Sequence, residues 1–134
     1  MLTGKELFSH TFALGDLAAN NDAYVNFLID LPDGYTFQIS NAIIASNAAV
    51  SKQASNIANI TVKDGAGTCL LFYSNNNTGG YALAAGEPID MTVIKTACTV
   101  AGGTTIKAHH EKAASGTAIT QCVMQMDIVP ILAP

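Results

Sequence analysis

The stretch YTFQISNAIIAS (residues 35–46) decides the fold class, because its apolar side chains recur at every second position. The odd-numbered positions form a nearly continuous apolar face: Tyr35, Phe37, Ile39, Asn41, Ile43 and Ala45. A period of two residues is typical of a β-strand, whereas a helix repeats every 3.6 residues. The stretch therefore predicts a half-buried strand.

A tight turn is predicted immediately before this strand, at Pro32-Asp33-Gly34. Proline presets the backbone angle that such a turn needs, and glycine tolerates a positive φ. The preceding run, DAYVNFLIDL (22–31), alternates in the same way, so the turn predicts a corner between two strands.

Short alternating runs continue to the end of the chain. They predict strands over residues 57–64, 68–74, 89–95, 104–112 and 118–129. Residues 47–56 and 75–80 are predicted as loops, and the NNNTGG sequence of the second loop predicts a segment too polar to pack. No run shows a sustained helical stripe. The pattern predicts an all-β antiparallel β-sandwich, a jelly roll of about eight strands.

The length of 134 residues predicts one domain with a core of its own. Residues 21–134 contain the regular strand pattern and are predicted to form the β-sandwich. Residues 1–20 are less regular and predict an N-terminal arm or an edge strand.

Composition argues against several classes of partner. The net charge is −4, and the chain has six lysines but no arginine, so nucleic-acid binding is not expected. Neither a membrane-spanning helix nor a signal peptide is expected, which predicts synthesis in a cytoplasm. Only 12% of the residues are charged, which predicts a surface rich in small, neutral side chains. Such a surface suits contact with other proteins.

No set of residues predicts a catalytic, metal or cofactor site, so the chain is not expected to be an enzyme. His109 and His110 lie next to each other on a predicted strand, where they point to opposite faces, and are expected at a solvated or interfacial strand end. Cys69, Cys98 and Cys122 show no metal-ligand spacing and predict buried thiols. The DGAG sequence (64–67) predicts a hairpin turn.

The order of these runs resembles the small jelly-roll decoration, or cement, proteins of tailed-bacteriophage heads. The resemblance covers about residues 20–131. The pieces that carry it are IDLPDGYTFQIS, NAIIASNAAV, NITVKDGAG, GGYALAAGEPIDMTV, TVAGGTTIKAHH and TAITQCVMQMDIVPI.

The resemblance implies a virion structural protein that binds the outside of a phage capsid and stabilises it by bridging capsid subunits. It implies the major capsid protein as partner, a trimeric or monomeric state with the homotrimer favoured, and no catalysis or cofactor. The segment 1–20 and the two loops are then the contact candidates. The specific candidates are Leu7, Phe8, Phe12 and Leu14, whose apolar side chains are equally explained by an edge strand that closes the core.

Two other functions remain as alternatives. A carbohydrate-binding or tail-fibre-type sandwich would need exposed aromatic side chains, and the chain offers only Tyr24, Tyr35, Tyr73 and Tyr81. A small cupin-like enzyme would need histidines gathered inside a barrel around a metal ion.

Overall fold

The computed structural model describes residues 8–19, the backbone of 23–28, and 34–132. These residues form ten β-strands and no helix, and therefore contain no helix that could span a membrane. The strands are β1 (Phe8–Leu17), β2 (Ala23–Leu28), β3 (Thr36–Ala45), β4 (Ile57–Lys63), β5 (Cys69–Ser74), β6 (Ile89–Asp90), β7 (Thr92–Val93), β8 (Thr99–Ala101), β9 (Thr105–Ala113) and β10 (Ile119–Leu132).

The strands are divided between two antiparallel sheets packed face to face. Sheet 1 has the order β1-β10-β3, with the short strands β6 and β8 both paired to β3. Sheet 2 has the order β2-β9-β4-β5-β7. The pairings are nested, since β5 pairs with β4, β8 with β3, β9 with β2 and β10 with β1. A long hairpin rolled up in this way is a jelly roll, and the predicted fold class is confirmed.

The prediction of one strand over residues 89–95 is wrong. Ile89–Asp90 pairs with β3 in sheet 1, whereas Thr92–Val93 pairs with β5 in sheet 2. Between them, the buried Met91 donates its amide to Ala42 O at 2.8 Å. A segment that passes from the edge of sheet 1 to the edge of sheet 2 shows the same two-residue alternation as a single strand, so the pattern could not distinguish the two.

The N-terminal part of the chain belongs to sheet 1. Strand β1 lies at the edge of this sheet and pairs with β10 from Phe8 to Leu17. Residues 1–7, Pro32 and Asp33 lie outside the described residues, although Gly34 has the positive φ, 83°, that the turn required. The division of the chain at residue 20 stays a prediction.

The core lies between the two sheets. On β10 the side chains of Cys122, Met124, Met126 and Ile128 are fully buried, as the alternation of that run predicted. Phe37 and Ile39 of β3, the neighbouring strand in sheet 1, are buried in the same core cluster. Each large apolar side chain buried in this way contributes about 1.5–3 kcal/mol to folding.

The loops at 47–56 and 75–80 are joined by a buried asparagine. Asn75 is fully buried, so the prediction that this loop is too polar to pack is wrong at this residue. Its side-chain Oδ1 accepts from Ala58 N at 2.8 Å, and its Nδ2 donates to Ser51 O at 2.9 Å. Its backbone carbonyl accepts from Gln53 N at 2.8 Å. The amide can be buried because these groups of the first loop and of β4 satisfy it.

We expect Asn75→Ala to lower the free energy of unfolding by about 2–4 kcal/mol, because it leaves the buried Ala58 amide and the Ser51 carbonyl without their partner. Urea denaturation measures the loss. Asn77→Ala, at an exposed position of the same loop, should stay within about 0.5 kcal/mol of the original protein. Equal stabilities for the two variants would contradict this assignment.

Two buried groups that lose a proton only at high pH, a thiol and a phenol, predict a loss of stability at alkaline pH. Burial raises the pKa of the Cys122 thiol from 9.0 to about 12, and burial together with nearby Cys122 raises the pKa of the Tyr73 phenol. Above pH 9.0 the unfolded chain releases the Cys122 proton while the folded chain keeps it. The free energy of unfolding therefore falls as the pH rises toward 12, by at most about 1.4 kcal/mol per pH unit for each group.

Denaturation curves recorded across the alkaline range test this expectation. Cys122→Ala should show a shallower decline with pH than the original protein. An unchanged slope in Cys122→Ala would show that the thiol plays no part.

Candidate interaction surface

The outer face of sheet 1 displays mostly neutral side chains, together with the carboxylates of Asp90 and Asp127. Strand pairing aligns them in three rows across the sheet. The rows are Ala13–Val123–Ala45, Thr11–Gln125–Ile43–Asp90 and Ser9–Asp127–Asn41. Val123, at the centre of the apolar row, keeps 39% of its surface exposed.

Sheet 1 also differs from sheet 2 in charge. Its five strands contain no lysine, whereas those of sheet 2 contain Lys63, Lys107 and Lys112. The Asp127 carboxylate of the last row accepts the Ser9 hydroxyl at 2.6 Å, and is therefore held against its own sheet. The strands of sheet 1 thus share the depletion of lysine, although not of aspartate, that marks the centre of a protein–protein interface.

A conformationally strained residue borders the apolar row. Gln121 has φ +45°, in the left-handed region that residues other than glycine rarely adopt. Its amide donates to Asp16 Oδ1 at 2.8 Å, and its Oε1 accepts from Asn47 Nδ2 at 3.0 Å. Strained backbone persists only where surrounding contacts determine it, and such positions cluster at binding sites.

The outer face of sheet 2 carries charge instead. Lys63 and Lys107 are direct partners on neighbouring strands, and the Lys63 Nζ lies 3.6 Å from Glu111 Oε1. His109 Nδ1 lies 2.9 Å from the same carboxylate oxygen. With the Asp64–Gly67 turn, these residues line a surface cavity of about 260 Å³. The turn is a hairpin as predicted, since Asp64 Oδ1 accepts from Ala66 N and Thr68 N at 2.9 Å.

The prediction that the two histidines lie at a solvated or interfacial strand end is wrong. His109 and His110 are only 8% and 2% exposed. Strand β9 runs between β2 and β4 in the interior of sheet 2, and both histidines lie in the middle of this strand rather than at its end. The alternation did place the two rings on opposite faces, and the described residues contain no group of His, Cys, Asp or Glu able to hold a metal ion.

Three of the four predicted contact residues, Phe8, Phe12 and Leu14, lie on β1 with their side chains toward the core. Leu14 is buried, and Phe8 and Phe12 are half-buried against the core cluster. The rings of Phe8 and Phe37 meet edge to face with centroids 6.0 Å apart. Leu7 lies outside the described residues. The role of these four residues in partner contact stays a prediction.

The cysteines and tyrosines divide between core and surface. Cys98 and Cys122 are buried as predicted, but Cys69 is half-buried, and burial raises the pKa of its thiol despite nearby Lys63. Tyr73 is buried and donates its hydroxyl to Tyr81 O at 2.7 Å, so it cannot serve as a sugar platform.

Sequence reasoning missed the outer face of sheet 1 as a surface. Its signal was present in the chain as long lysine-free strands, β3 and β10 above all. The face became visible only when the pairing register aligned strands distant in sequence.

No protein-family model and no curated protein matches this chain. A chain in the solved structure of infectious bursal disease virus, Gx strain, is similar over 94% of this chain, with 10% sequence identity and a TM-score of 0.39. The similarity covers 32% of that chain, so the present chain spans about a third of its length.

We expect Gln121→Gly to raise the free energy of unfolding by roughly 0.5–1 kcal/mol, because glycine adopts the positive φ at this position without steric cost. Gln125→Gly on the same strand, where φ is not positive, should lower it by about the same amount. Thermal or urea denaturation compares the two variants, and parallel losses would show that Gln121 carries no strain.

Proposed function

We propose that the chain is a virion structural protein, a decoration (cement) protein that binds the outer surface of a bacteriophage head and bridges capsid subunits. Its partner is the major capsid protein, and its working state is a homotrimer. It is made in the host cytoplasm and resides on the capsid exterior. It performs no turnover and uses no cofactor.

The observation that carries the proposal is the outer face of sheet 1. A solvated sheet face normally displays long charged side chains, which hinder association with other proteins. Here the apolar row with Val123 at its centre adjoins rows of threonine, serine, isoleucine and amide side chains that also contain Asp90 and Asp127. Such a face buries no unpaired ammonium group against a protein shell, and the Asp127 carboxylate already accepts a hydrogen bond from the Ser9 hydroxyl.

The proposed mechanism is multivalent burial of surface. A typical specific interface covers about 800 Å² on each partner, an area that a face of five strands can supply. In a trimer three such faces bind together, and each later contact forms at the effective concentration set by the first. Weak contacts made by each copy then sum to a tight cap over neighbouring capsid subunits.

The resemblance of the strand runs to phage decoration proteins supports the choice of a capsid as partner. The jelly-roll order of the strands agrees with the fold that this resemblance implied. The described residues also supply no metal cluster, and the buried Tyr73 reduces the aromatic set on which a carbohydrate-binding function would depend.

We expect Val123→Lys to weaken binding to capsid shells by roughly tenfold or more, because it places an ammonium group at the centre of the apolar row. The shells are assembled from the capsid protein encoded in the same genome, and co-sedimentation measures the bound fraction. Thr92→Lys, which adds the same charge at an exposed position of sheet 2, is the matched control and should bind normally.

Failure of the unmodified protein to bind these shells, or equal heat resistance of shells with and without it, would refute the proposed function. If Val123→Lys and the original protein both bind normally, the outer face of sheet 1 is excluded as the contact surface, and the proposed function itself is not refuted. Light scattering of the free protein tests the trimer separately.

A further inference from the structure

The cavity on the outer face of sheet 2 brings two ammonium groups, an imidazole and two carboxylates together. Its volume is about 260 Å³, and its lining combines the Asp64–Gly67 turn with side chains of β4 and β9. It lies on the opposite side of the sandwich from the outer face of sheet 1. A partner that covers sheet 1 therefore leaves this cavity open.

The placement of the two lysines is the unusual feature of the cavity. Lys63 of β4 and Lys107 of β9 are direct partners in the strand pairing. Directly paired side chains lie on the same face of a sheet with Cβ atoms about 4.5–5.5 Å apart, where like charges destabilise the pairing. The fold thus holds two ammonium groups side by side against their repulsion, and a negatively charged ligand between them would remove that repulsion.

The ion pair inside the cavity leaves Lys63 able to bind a further group. Its Nζ lies 3.6 Å from Glu111 Oε1, which is longer than the roughly 2.7–2.9 Å of a charge-assisted hydrogen bond. The same oxygen lies 2.9 Å from His109 Nδ1. Because the Lys63 side chain is 36% exposed, its ammonium group can turn toward a ligand while the Glu111 carboxylate stays at His109.

The turn contributes backbone to the cavity and occupies its own carboxylate. Asp64 Oδ1 accepts from the amides of Ala66 and Thr68, both at 2.9 Å, so these two donors partly compensate its charge. Gly65 lines the cavity without a side chain, and its amide has no acceptor within the described part of the chain. The turn therefore offers the cavity an N–H donor.

The lining favours a small oxyanion over other ligands. A metal cation would meet two ammonium groups, and the described residues contain no set of side chains able to hold one. An apolar ligand would strip water from charged groups without replacing its hydrogen bonds. The cavity is also smaller than the roughly 300–1,000 Å³ pockets that hold drug-sized ligands. A single phosphate or carboxylate group suits both the size and the donors.

We propose that this cavity binds a small oxyanion, a phosphate or a carboxylate, between the ammonium groups of Lys63 and Lys107, with the Gly65 amide as a further donor. On binding, Lys63 exchanges the Glu111 carboxylate for the ligand. Glu111 is then a built-in competitor that balances the charge of the empty site. The inference does not rest on the decoration function, because it concerns the other face of the sandwich.

The test titrates inorganic phosphate into the free protein and follows the amide signals of the Asp64–Gly67 turn by NMR, with potassium chloride at matched ionic strength as reference. Lys107→Gln should raise the Kd for phosphate by roughly tenfold, because it removes one of the two ammonium ligands. Glu111→Gln should lower this Kd by roughly a few fold, because it removes the competitor for Lys63. Lys95→Gln removes an exposed lysine outside the cavity and should keep the original Kd.

The opposite effects of Lys107→Gln and Glu111→Gln distinguish a built site from general attraction to lysines. Equal Kd values for Lys107→Gln and Lys95→Gln, or chloride shifts as large as those with phosphate, would overturn the site. Weaker binding by Glu111→Gln would overturn the exchange of partners at Lys63.

A second titration, with glutamate whose backbone groups are blocked, distinguishes the two sources of an oxyanion. Tighter binding of this carboxylate than of phosphate supports an acidic side chain of another protein as the ligand. Tighter binding of phosphate supports a free phosphate compound. Binding of neither probe above the chloride reference would overturn the proposal, whatever the result with capsid shells.

Discussion

The whole architecture depends on the insertion of β10 between β1 and β3. This strand pairs on one side with the first described strand of the chain and on the other with the strand that follows the Gly34 turn. Its alternate residues then serve two surfaces at once. Met124 and Met126 fill the space between the sheets, while Val123 and Gln125 form the middle of the outer face. Without this strand sheet 1 would lack both its part of the core and its surface.

The fold class was predictable because burial in a two-layer sandwich enforces a two-residue period. The run at 35–46 forms β3, and the last run forms β10 with its inward-facing methionines. The predicted apolar face of the first run is correct only as far as Ile39, because an irregularity in the pairing shifts the buried face by one residue, so that Ala42 and Ile44 are buried and Asn41 is exposed. Prediction failed where tertiary contacts override local pattern. Met91 lies where the chain passes from the edge of one sheet to the edge of the other, in a segment that alternates like one strand. Asn75 is buried because distant backbone groups satisfy its amide. Neither partner set is visible in the neighbouring sequence.

The candidate surface was less predictable than the fold, for a related reason. The sequence predicts apolar residues near the N-terminus as partner contacts, yet Phe12 and Leu14 face the sandwich interior. The outer face consists of residues that look unremarkable one at a time, such as Ala13, Val123 and Ala45. Their common feature depends on the register of three strands, and register is specified by long-range pairing that the sequence alone does not display.

The nested pairing determines when the outer face of sheet 1 can form. Strand β10 is synthesised after every other described strand, and the rows of the outer face exist only when β10 lies between its two partners. Contacts between such distant segments form slowly, because a long loop must close before they contribute. A chain interrupted before residue 119 therefore lacks both these rows and the side chains that β10 adds to the core. The presence of the outer face thus reports that the two most distant described strands of the chain, β1 and β10, have paired.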